Sequence, residues 1–397
     1  MIRGTRLGKL LLALAPLAAP VLAGCSDVLG YDQMQFAGNE GTSPASTDGT
    51  RDAGPSLTPG ATLGEPPSGT GGPRPRTQED GGVIPSPGSD AGPGPGPGPG
   101  PGPGPGPVDA GSVGFTGLPG DPMTHTSAEV CAAWSTGHQL SDSNPWTKAA
   151  DECGGGTLTQ AGVNDTLSRI DMFRWMVGLA PVTERTSDRA EYMACAAVAA
   201  WNPPGGGFSP HQPPPTAKCY TPEGAAGAGS SNIGWGGRVP ADAIDQFIED
   251  NGNETTFGHR RWVLNPPLGA VGIGFYAGGG PYGSAQCLGV FDQSGSGPMP
   301  PWVSFPPPGF VPADATRLAW TFHHQSGVAT GMTVTRVSDN ANLPMQVLPL
   351  QQGFGMYGVT AFAPQGWQAQ AGETYHVSVA GIGAAPIEYD VKPVACP

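Results

Sequence analysis

The chain is poor in charged residues, and negative charges outnumber positive ones. Only 13% of its 397 residues are charged, and the formal net charge at pH 7 is −14. This balance argues against a nucleic-acid partner and against electrostatic adhesion to anionic lipid, since both partners attract basic surfaces. No Cys-x-x-Cys or Cys-x-x-His pair occurs. The cysteine spacing therefore excludes the common zinc-finger patterns.

Long apolar runs are also scarce, and the N-terminal one is too short to span a bilayer comfortably. It covers residues 10–22 and follows three basic residues, whereas a spanning helix needs about 20 apolar residues. A basic start before such a run is typical of a secretory signal. The run ends in Leu22-Ala23-Gly24-Cys25, which resembles a bacterial lipobox. We predict a signal peptide over 1–24 and a lipid on Cys25.

This lipid would make a membrane the first partner of the chain. Several acyl chains on one residue anchor a protein stably, because two chains exceed the marginal binding of a single one. We therefore expect a lipid-anchored, extracytoplasmic protein of the bacterial cell envelope, at the outer membrane or the cell surface.

Aromatic residues are almost absent from residues 37–113, and residues 92–107 alternate strictly between Gly and Pro. A period of two excludes collagen, which needs Gly at every third position. Proline stiffens the backbone and glycine frees it, so such a segment is extended and semi-flexible. We predict that residues 25–113 form a disordered spacer between the membrane and a globular part.

The cysteines indicate disulfides. Of the seven, six remain when Cys25 is set aside, an even number that suits an oxidising compartment. Six cysteines allow fifteen pairings, of which we predict two local pairs and one long-range pair: Cys131–Cys153, Cys195–Cys219 and Cys287–Cys396.

The remaining residues predict an α+β fold in two parts. Apolar spacing predicts helices at 166–177, 188–201, 241–248 and 258–264, and strands at 270–276 and 286–291. Short alternating runs about ten residues apart then follow from residue 318, which is the pattern of an all-β sandwich. We place the two domains at 114–311 and 312–397. The segment 369–381 resembles late strands of small immunoglobulin-like or fibronectin-type sandwiches.

The first domain resembles the CAP superfamily (cysteine-rich secretory proteins, antigen 5 and pathogenesis-related 1). Asp171-Met-Phe-Arg174, followed by Gly178-Leu-Ala-Pro181, is similar to the opening helix of that family, with Asp171 in place of the usual Asn. The segment 258–266, Gly-His-Arg-Arg-Trp-Val-Leu-Asn-Pro, is similar to the bacterial form of its second histidine motif. The resemblance covers about residues 167–291 and implies a CAP-type α-β-α sandwich.

The resemblance also implies a cleft lined by two histidines and two acids. His211 and His259 take the histidine positions, while Ser231 stands where one acid is expected. The other acid is Glu249 or Asp250, and the alignment leaves both open. Imidazoles suit zinc, and two of them with one carboxylate can hold it with an open position. A site for zinc or another divalent cation on His211 and His259 is therefore one expectation, and hydrogen bonding across a polar cleft is the other.

Further residues belong to the expected ligand cleft. Asn232 follows Ser231, and Trp235 lies between glycines at the expected edge of the cleft. A nucleophilic role for Ser231 is disfavoured, because the segment lacks the Gly-x-Ser-x-Gly elbow. His323 and His324 are consecutive in a predicted strand, so they face opposite ways and cannot chelate together. His125 and His138 lie in a loop-like stretch and are expected to be solvated.

Three functions remain in view. The first is a binding module whose histidine-lined cleft receives a lipid, glycan or peptide. The second is a metal-dependent, protease-like hydrolase that uses His211, His259 and an acid. The third is a structural or adhesive envelope protein. The replacement of an acid by Ser231 favours binding over catalysis, because losing a charged ligand harms catalysis more.

Overall fold

The computed structural model describes residue 115 and residues 119–205 and 207–397, which belong to one compact unit. Helices and sheets are mixed, as the predicted α+β class requires. The predicted signal peptide, Cys25 and the spacer lie outside the described residues. Among the described helices, none is both long and apolar enough to cross a membrane.

The described residues contain six α-helices and fifteen strands. The helices are α1 (Ser127–His138), α2 (Gln160–Met176), α3 (Arg189–Trp201), α4 (Pro222–Gly229), α5 (Asp242–Glu249) and α6 (Gly258–Val263). The strands are β1 (Trp146–Thr147), β2 (Thr157–Leu158), β3 (Thr183–Glu184), β4 (Ser231–Trp235), β5 (Ala270–Ala277), β6 (Ser284–Gly289), β7 (Trp302–Phe305), β8 (Gly309–Pro312), β9 (Trp320–His324), β10 (Gly331–Arg336), β11 (Ala341–Leu343), β12 (Met345–Leu348), β13 (Gly358–Pro364), β14 (Tyr375–Ala380) and β15 (Ile387–Val394).

Threonine caps explain where the early helices begin. The Thr159 hydroxyl accepts a hydrogen bond from the Gly162 amide, so α2 begins six residues before the predicted start at Thr166. A capping box of Thr126 and Glu129 starts α1, a helix that the apolar pattern did not predict. The α1 sequence is rich in alanine and has only a weak apolar face, so its apolar residues do not show the helical periodicity on which the prediction depends.

The first large sheet has the strand order β3-β5-β6-β4, and α3 packs against it. Tyr192 of α3 lies so close to β5 and β6 that a Cβ atom at Gly272 or Gly289 would come within 1.8 or 2.2 Å of its ring. The glycines of the predicted strand Val-Gly-Ile-Gly therefore serve close packing of a helix on a sheet.

The C-terminal strands form two further sheets, with orders β11-β10-β14-β15-β8 and β12-β13-β9-β7. Strand β7 precedes residue 312 and β8 ends at it, so the domain boundary predicted between residues 311 and 312 falls within strands that belong to these sheets. Trp302 of β7 stacks on Phe322 and Tyr389, and β8 pairs in parallel with β15. Prolines surround these short strands, and because proline usually marks turns and loops, the sequence did not predict strands there.

One hydrophobic core joins the helical part to the C-terminal sheets. It includes Phe173 of α2, Phe247 of α5 and Phe322 of β9. Two buried arginines of α6 reinforce the junction. Arg260 donates to the Ala319 carbonyl at 2.7 Å, and Arg261 donates to the Gln351 carbonyl at 2.7 Å. The predicted division into two domains thus describes sequence patterns on either side of a shared core.

Three disulfides are present, as the even number of cysteines predicted, but the predicted pairing is wrong throughout. The observed pairs are Cys131–Cys396, Cys153–Cys219 and Cys195–Cys287, with Cα–Cα distances of 5.0, 4.9 and 6.1 Å. Packing decides the pairing, because α3 carries Cys195 onto Cys287 of β6 and α1 lies beside the end of the chain. Proximity in sequence was the wrong guide.

Candidate functional site

A cleft of about 240 Å³ opens between β4, the end of α5 and the start of α6. Its lining includes aromatic, amide and titratable side chains: Trp235, Gln246, Phe247, Asp250, Asn251, Asn253, His259 and Tyr282. The lining contains His259 and Trp235, two of the predicted cleft residues. His211, Ser231 and Asn232 lie outside it.

Asp250 is the acid of this cleft. It ends α5 in a left-handed conformation, with φ of 54°, and is 2% exposed. Its Oδ1 accepts hydrogen bonds from His259 Nδ1 at 2.7 Å and from Asn253 Nδ2 at 3.0 Å, and its Oδ2 accepts one from the Arg260 amide at 3.2 Å. The choice between Glu249 and Asp250 is thereby decided. The left-handed turn at the end of α5 directs the Asp250 side chain, and not that of Glu249, towards the cleft.

Glu249 faces a different cavity, which it lines together with Asp245 and His138. Partial burial, followed by the negative charge of Asp245, raises the pKa of the Glu249 carboxyl. Glu249 is therefore not an acid of the cleft, although the sequence alone made it an equal candidate.

His259 is held firmly at the start of α6. Asp250 is 2.7 Å from its Nδ1, and its backbone carbonyl accepts a hydrogen bond from Asn232 Nδ2 at 2.9 Å. The ring lies 5.2 Å from that of Phe247. Because Nδ1 donates to a carboxylate, the neutral ring carries its lone pair on Nε2. The geometry suits a base or a hydrogen-bond acceptor of fixed orientation.

His211 is deeply buried behind the cleft lining. Its Nδ1 lies 3.0 Å from the Ala228 carbonyl, which fixes the same tautomer as in His259. The pKa of His211 is lowered to about 4, mainly by burial and to a smaller extent by the nearby His259, which together outweigh the raising effect of the Ala228 hydrogen bond. His211 is therefore neutral near pH 7.

The neighbours of the histidines play structural parts. Ser231 is buried and donates its hydroxyl hydrogen to the Gly227 carbonyl at 2.7 Å. Because the Ser231 hydroxyl already donates its hydrogen to a backbone carbonyl, a nucleophilic role for Ser231 is further disfavoured. Asn232 supports His259, and the Trp235 indole donates to the Ala199 carbonyl at 3.0 Å. Half-buried and oriented in this way, Trp235 presents part of its ring to the cleft.

The donor set falls short of a zinc site. Catalytic zinc takes three protein ligands, while His211 and His259 supply two imidazole nitrogens. Asp250 already accepts hydrogen bonds from His259, Asn253 and Arg260, and Ser231 is neutral. Over the described ranges, no group of three or more His, Cys, Asp or Glu side chains is arranged to hold a metal ion.

The other histidines are placed differently from the predictions. His138 belongs to α1 and is half-buried, with Nδ1 2.7 Å from the Trp134 carbonyl and Nε2 3.4 Å from Asp245. His125 stacks on Trp175 with ring centroids 3.8 Å apart. Neither is simply solvated, because unpredicted helical and aromatic neighbours cover them.

His323 and His324 are consecutive in β9, as predicted. His323 Nε2 lies 3.0 Å from the Thr321 hydroxyl, and His324 Nδ1 accepts a hydrogen bond from the Ser326 amide. Burial lowers the pKa of His323 well below its usual range.

Sequence reasoning missed Tyr282, which lies in the loop between β5 and β6 and is 55% exposed at the cleft. The glycines around it, Gly280 and Gly283, have positive φ and mark a turn. An exposed aromatic residue at a glycine-rich turn was the available signal.

Comparisons of the chain with protein-family models, with curated proteins and with solved structures found no match.

Proposed function

We propose that the chain is a lipid-anchored, extracytoplasmic binding module of CAP type whose cleft beside Asp250 and His259 receives a glycan. The observation that carries this proposal is the composition of the cleft. Two aromatic side chains, Trp235 and Tyr282, share one cavity with a carboxylate–imidazole pair and with amides. The proposed lipid anchor is inferred from Cys25 at the end of the lipobox-like segment. The proposed CAP type is inferred from the motifs at 171–181 and 258–266.

The chemistry of the lining favours a sugar over the other ligands. Tyr and Trp offer apolar surface with a polar edge, and such rings pack against the apolar face of a sugar. Amide, imidazole and carboxylate groups exchange hydrogen bonds with hydroxyls. A lipid tail would leave Gln246, Asp250 and Asn251 facing hydrocarbon, which is unfavourable for polar groups.

The size of the cleft limits the ligand. Its volume of about 240 Å³ lies just below the range for small-molecule pockets, which begins at about 300 Å³. One sugar unit, free or within a longer chain, suits such a space. The spacer of residues 25–113 would then hold the cleft away from the membrane, where surface glycans are reached.

Calorimetric titration of the full chain with N-acetylglucosamine, mannose, galactose and cellobiose tests the proposal. At least one sugar should bind with a dissociation constant of about 1 mM or tighter, which is about −4 kcal/mol. Tyr282→Ala should weaken that binding at least fivefold. Met356→Ala, at a residue 52% exposed outside the cleft lining, is the matched control and should change nothing. Absence of binding by the parent chain to all four sugars, or equal effects of the two variants, would reject the proposal.

The Asp250–His259 hydrogen bond favours a second function, hydrolysis. A histidine oriented by a carboxylate is the usual general base, and water would be the nucleophile. Peptide and glycoside substrates should then be cleaved by the parent chain but not by His259→Ala. Repeating the assay with added zinc, beside the double variant His211→Ala/His259→Ala, separates cation-dependent cleavage from simple base catalysis.

A further inference from the structure

A groove of about 330 Å³ lies between the end of α2, the short helix Pro122–Thr124 and the start of β7. We call it the proline groove. Its lining carries one charged side chain, that of Asp121, and is otherwise mostly apolar. Besides Trp302, it includes five prolines: Pro122, Pro298, Pro300, Pro301 and Pro308.

The walls of the proline groove expose apolar side chains. Met123 lines the groove and is 55% exposed, and Met299, between two lining prolines, is 44% exposed. Trp302 is half-buried and stacks on Tyr389 with ring centroids 5.2 Å apart, so its indole is held in place beside the groove. A concave surface edged by exposed apolar side chains is typical of an interaction site.

The spacer joins the globular part at the edge of this groove. Phe115 is 8% exposed and belongs to the hydrophobic core, with its ring 6.2 Å from that of Trp175 near the end of α2. Val177, two residues further on, lines the groove, as do Gly120 and Asp121 just after Phe115 in the chain. The residues that lead out of the spacer therefore form one side of the groove.

The Gly-Pro segment 92–107 lies outside the described residues, and its last residue is eight positions before Phe115. Eight residues span at most about 26–29 Å, which lets the segment return to the groove from this point. A short connection of this kind gives an effective concentration in the millimolar range. Even a weak site would then be occupied by the segment of its own chain.

The composition of the segment suits the groove. Its sixteen residues are eight prolines and eight glycines without a charge, and the groove lining is correspondingly apolar. Proline-rich segments bind aromatic-lined grooves as a polyproline II helix, which is formed in advance and loses little entropy. This helix has three residues per turn, so a period of two places prolines on all of its edges. Many registers can therefore present a proline ring to Trp302.

We propose that the proline groove binds segment 92–107 of the same chain as a polyproline II helix. The bound segment would tie the end of the spacer to the globular part. The free length between Cys25 and the globular part would then end near residue 92 instead of residue 113. This interaction does not depend on the glycan proposal, because the proline groove and the glycan cleft share no lining residue.

Replacing residues 92–107 by eight Gly-Ser repeats keeps the length of the spacer and removes the prolines. The replaced chain and the parent chain are each titrated, by calorimetry, with a free peptide of eight Gly-Pro repeats. The replaced chain should bind the peptide. The parent chain should bind it at least fivefold more weakly, because its own segment competes for the groove.

A charge placed on the groove wall tests where the peptide binds. In the replaced chain, Met123→Glu should weaken peptide binding at least fivefold, because it adds a carboxylate to an apolar wall. Met356→Glu, at a residue 52% exposed outside the groove lining, is the matched control and should leave binding unchanged. Thermal unfolding of each variant verifies that it is folded.

Methionine methyl resonances report the bound segment directly. The Met123 methyl signal of the parent chain should differ from that of the replaced chain, and added peptide should move the latter towards the parent position. The Met356 methyl signal should stay where it is in all three samples.

Three results would overturn the proposal: no binding of the peptide to the replaced chain at tens of millimolar, equal binding to the parent and replaced chains, or equal effects of the two methionine variants. Sedimentation of the parent chain tests another occupant. A dimer that Met123→Glu abolishes would assign the groove to a second copy of the chain and would also overturn the proposal.

Discussion

Asp250 Oδ1 and His259 Nδ1 are 2.7 Å apart, and the two side chains, nine residues apart in the sequence, are buried together. The hydrogen bond joins the C-terminus of α5 to the start of α6. It therefore links the stability of the fold to the orientation of the one imidazole that lines the cleft.

Asp250→Asn should lower the free energy of unfolding by about 1–3 kcal/mol, because an amide cannot replace a buried carboxylate that accepts three hydrogen bonds. Denaturant titration measures this change. The control Asp390→Asn alters a carboxylate that is 42% exposed and contacts His376, and it should leave the unfolding midpoint nearly unchanged. Equal midpoints for Asp250→Asn and the parent would show that the buried pair contributes nothing to stability.

Acid should destabilise the fold partly through His211. Its folded pKa of about 4 lies below the ordinary value of 6.5, so between these values the unfolded chain binds more protons. The free energy of unfolding should therefore fall as the pH drops from about 6.5 to 4. His211→Gln should make this slope shallower. Identical slopes for His211→Gln and the parent chain would contradict the prediction.

Asp171 should act in the opposite direction. Burial raises the pKa of its carboxyl to about 7, against the lowering effects of the Val182 amide and Arg174. The native state therefore holds a proton that the unfolded chain releases near pH 4, and this costs stability as the pH rises from about 4 to 7.

Asp171→Asn keeps an oxygen that can accept the hydrogen bond of the Val182 amide, 2.8 Å long in the parent chain. The variant should gain stability over the parent progressively between pH 4 and 7, and the gain should level off above pH 7. Free energies of unfolding of the variant and of the parent chain, measured between pH 4 and 8, test this prediction. A difference that is constant with pH, or that shrinks, would count against a protonated Asp171.

Peptide mapping without reduction should find Cys131–Cys396, Cys153–Cys219 and Cys195–Cys287. Cys195 and Cys287 are 0% exposed, so this bond should be the last to react when a reductant is added to the native chain. Alkylation followed by mass spectrometry gives the order. The double variant Cys195→Ala/Cys287→Ala removes this disulfide. It should lower the free energy of unfolding by about 2–4 kcal/mol, because the bond closes a long loop. Early loss of this bond would indicate that α3 separates from β6 in the native state.

Much of the fold was predictable where local pattern and tertiary packing agree. The helix predicted at 241–248 is observed as Asp242–Glu249, and the strand predicted at 270–276 is observed as Ala270–Ala277. Prediction failed where the pattern was weak. The alanine-rich α1 and the proline-flanked strands β7 and β8 have little periodicity of their own, and they become regular because they pack on neighbours that are distant in sequence.

By itself, the sequence determined the mixed class of the fold and the presence of disulfides. These depend on composition and on local spacing, which the chain carries without folding. Only the tertiary structure decided that Asp250 and not Glu249 faces His259, which cysteines pair, and that His138 joins Asp245 at a second cavity. Each of these depends on how elements dozens of residues apart pack together, or on a single left-handed residue at a helix end, and no local pattern encodes that.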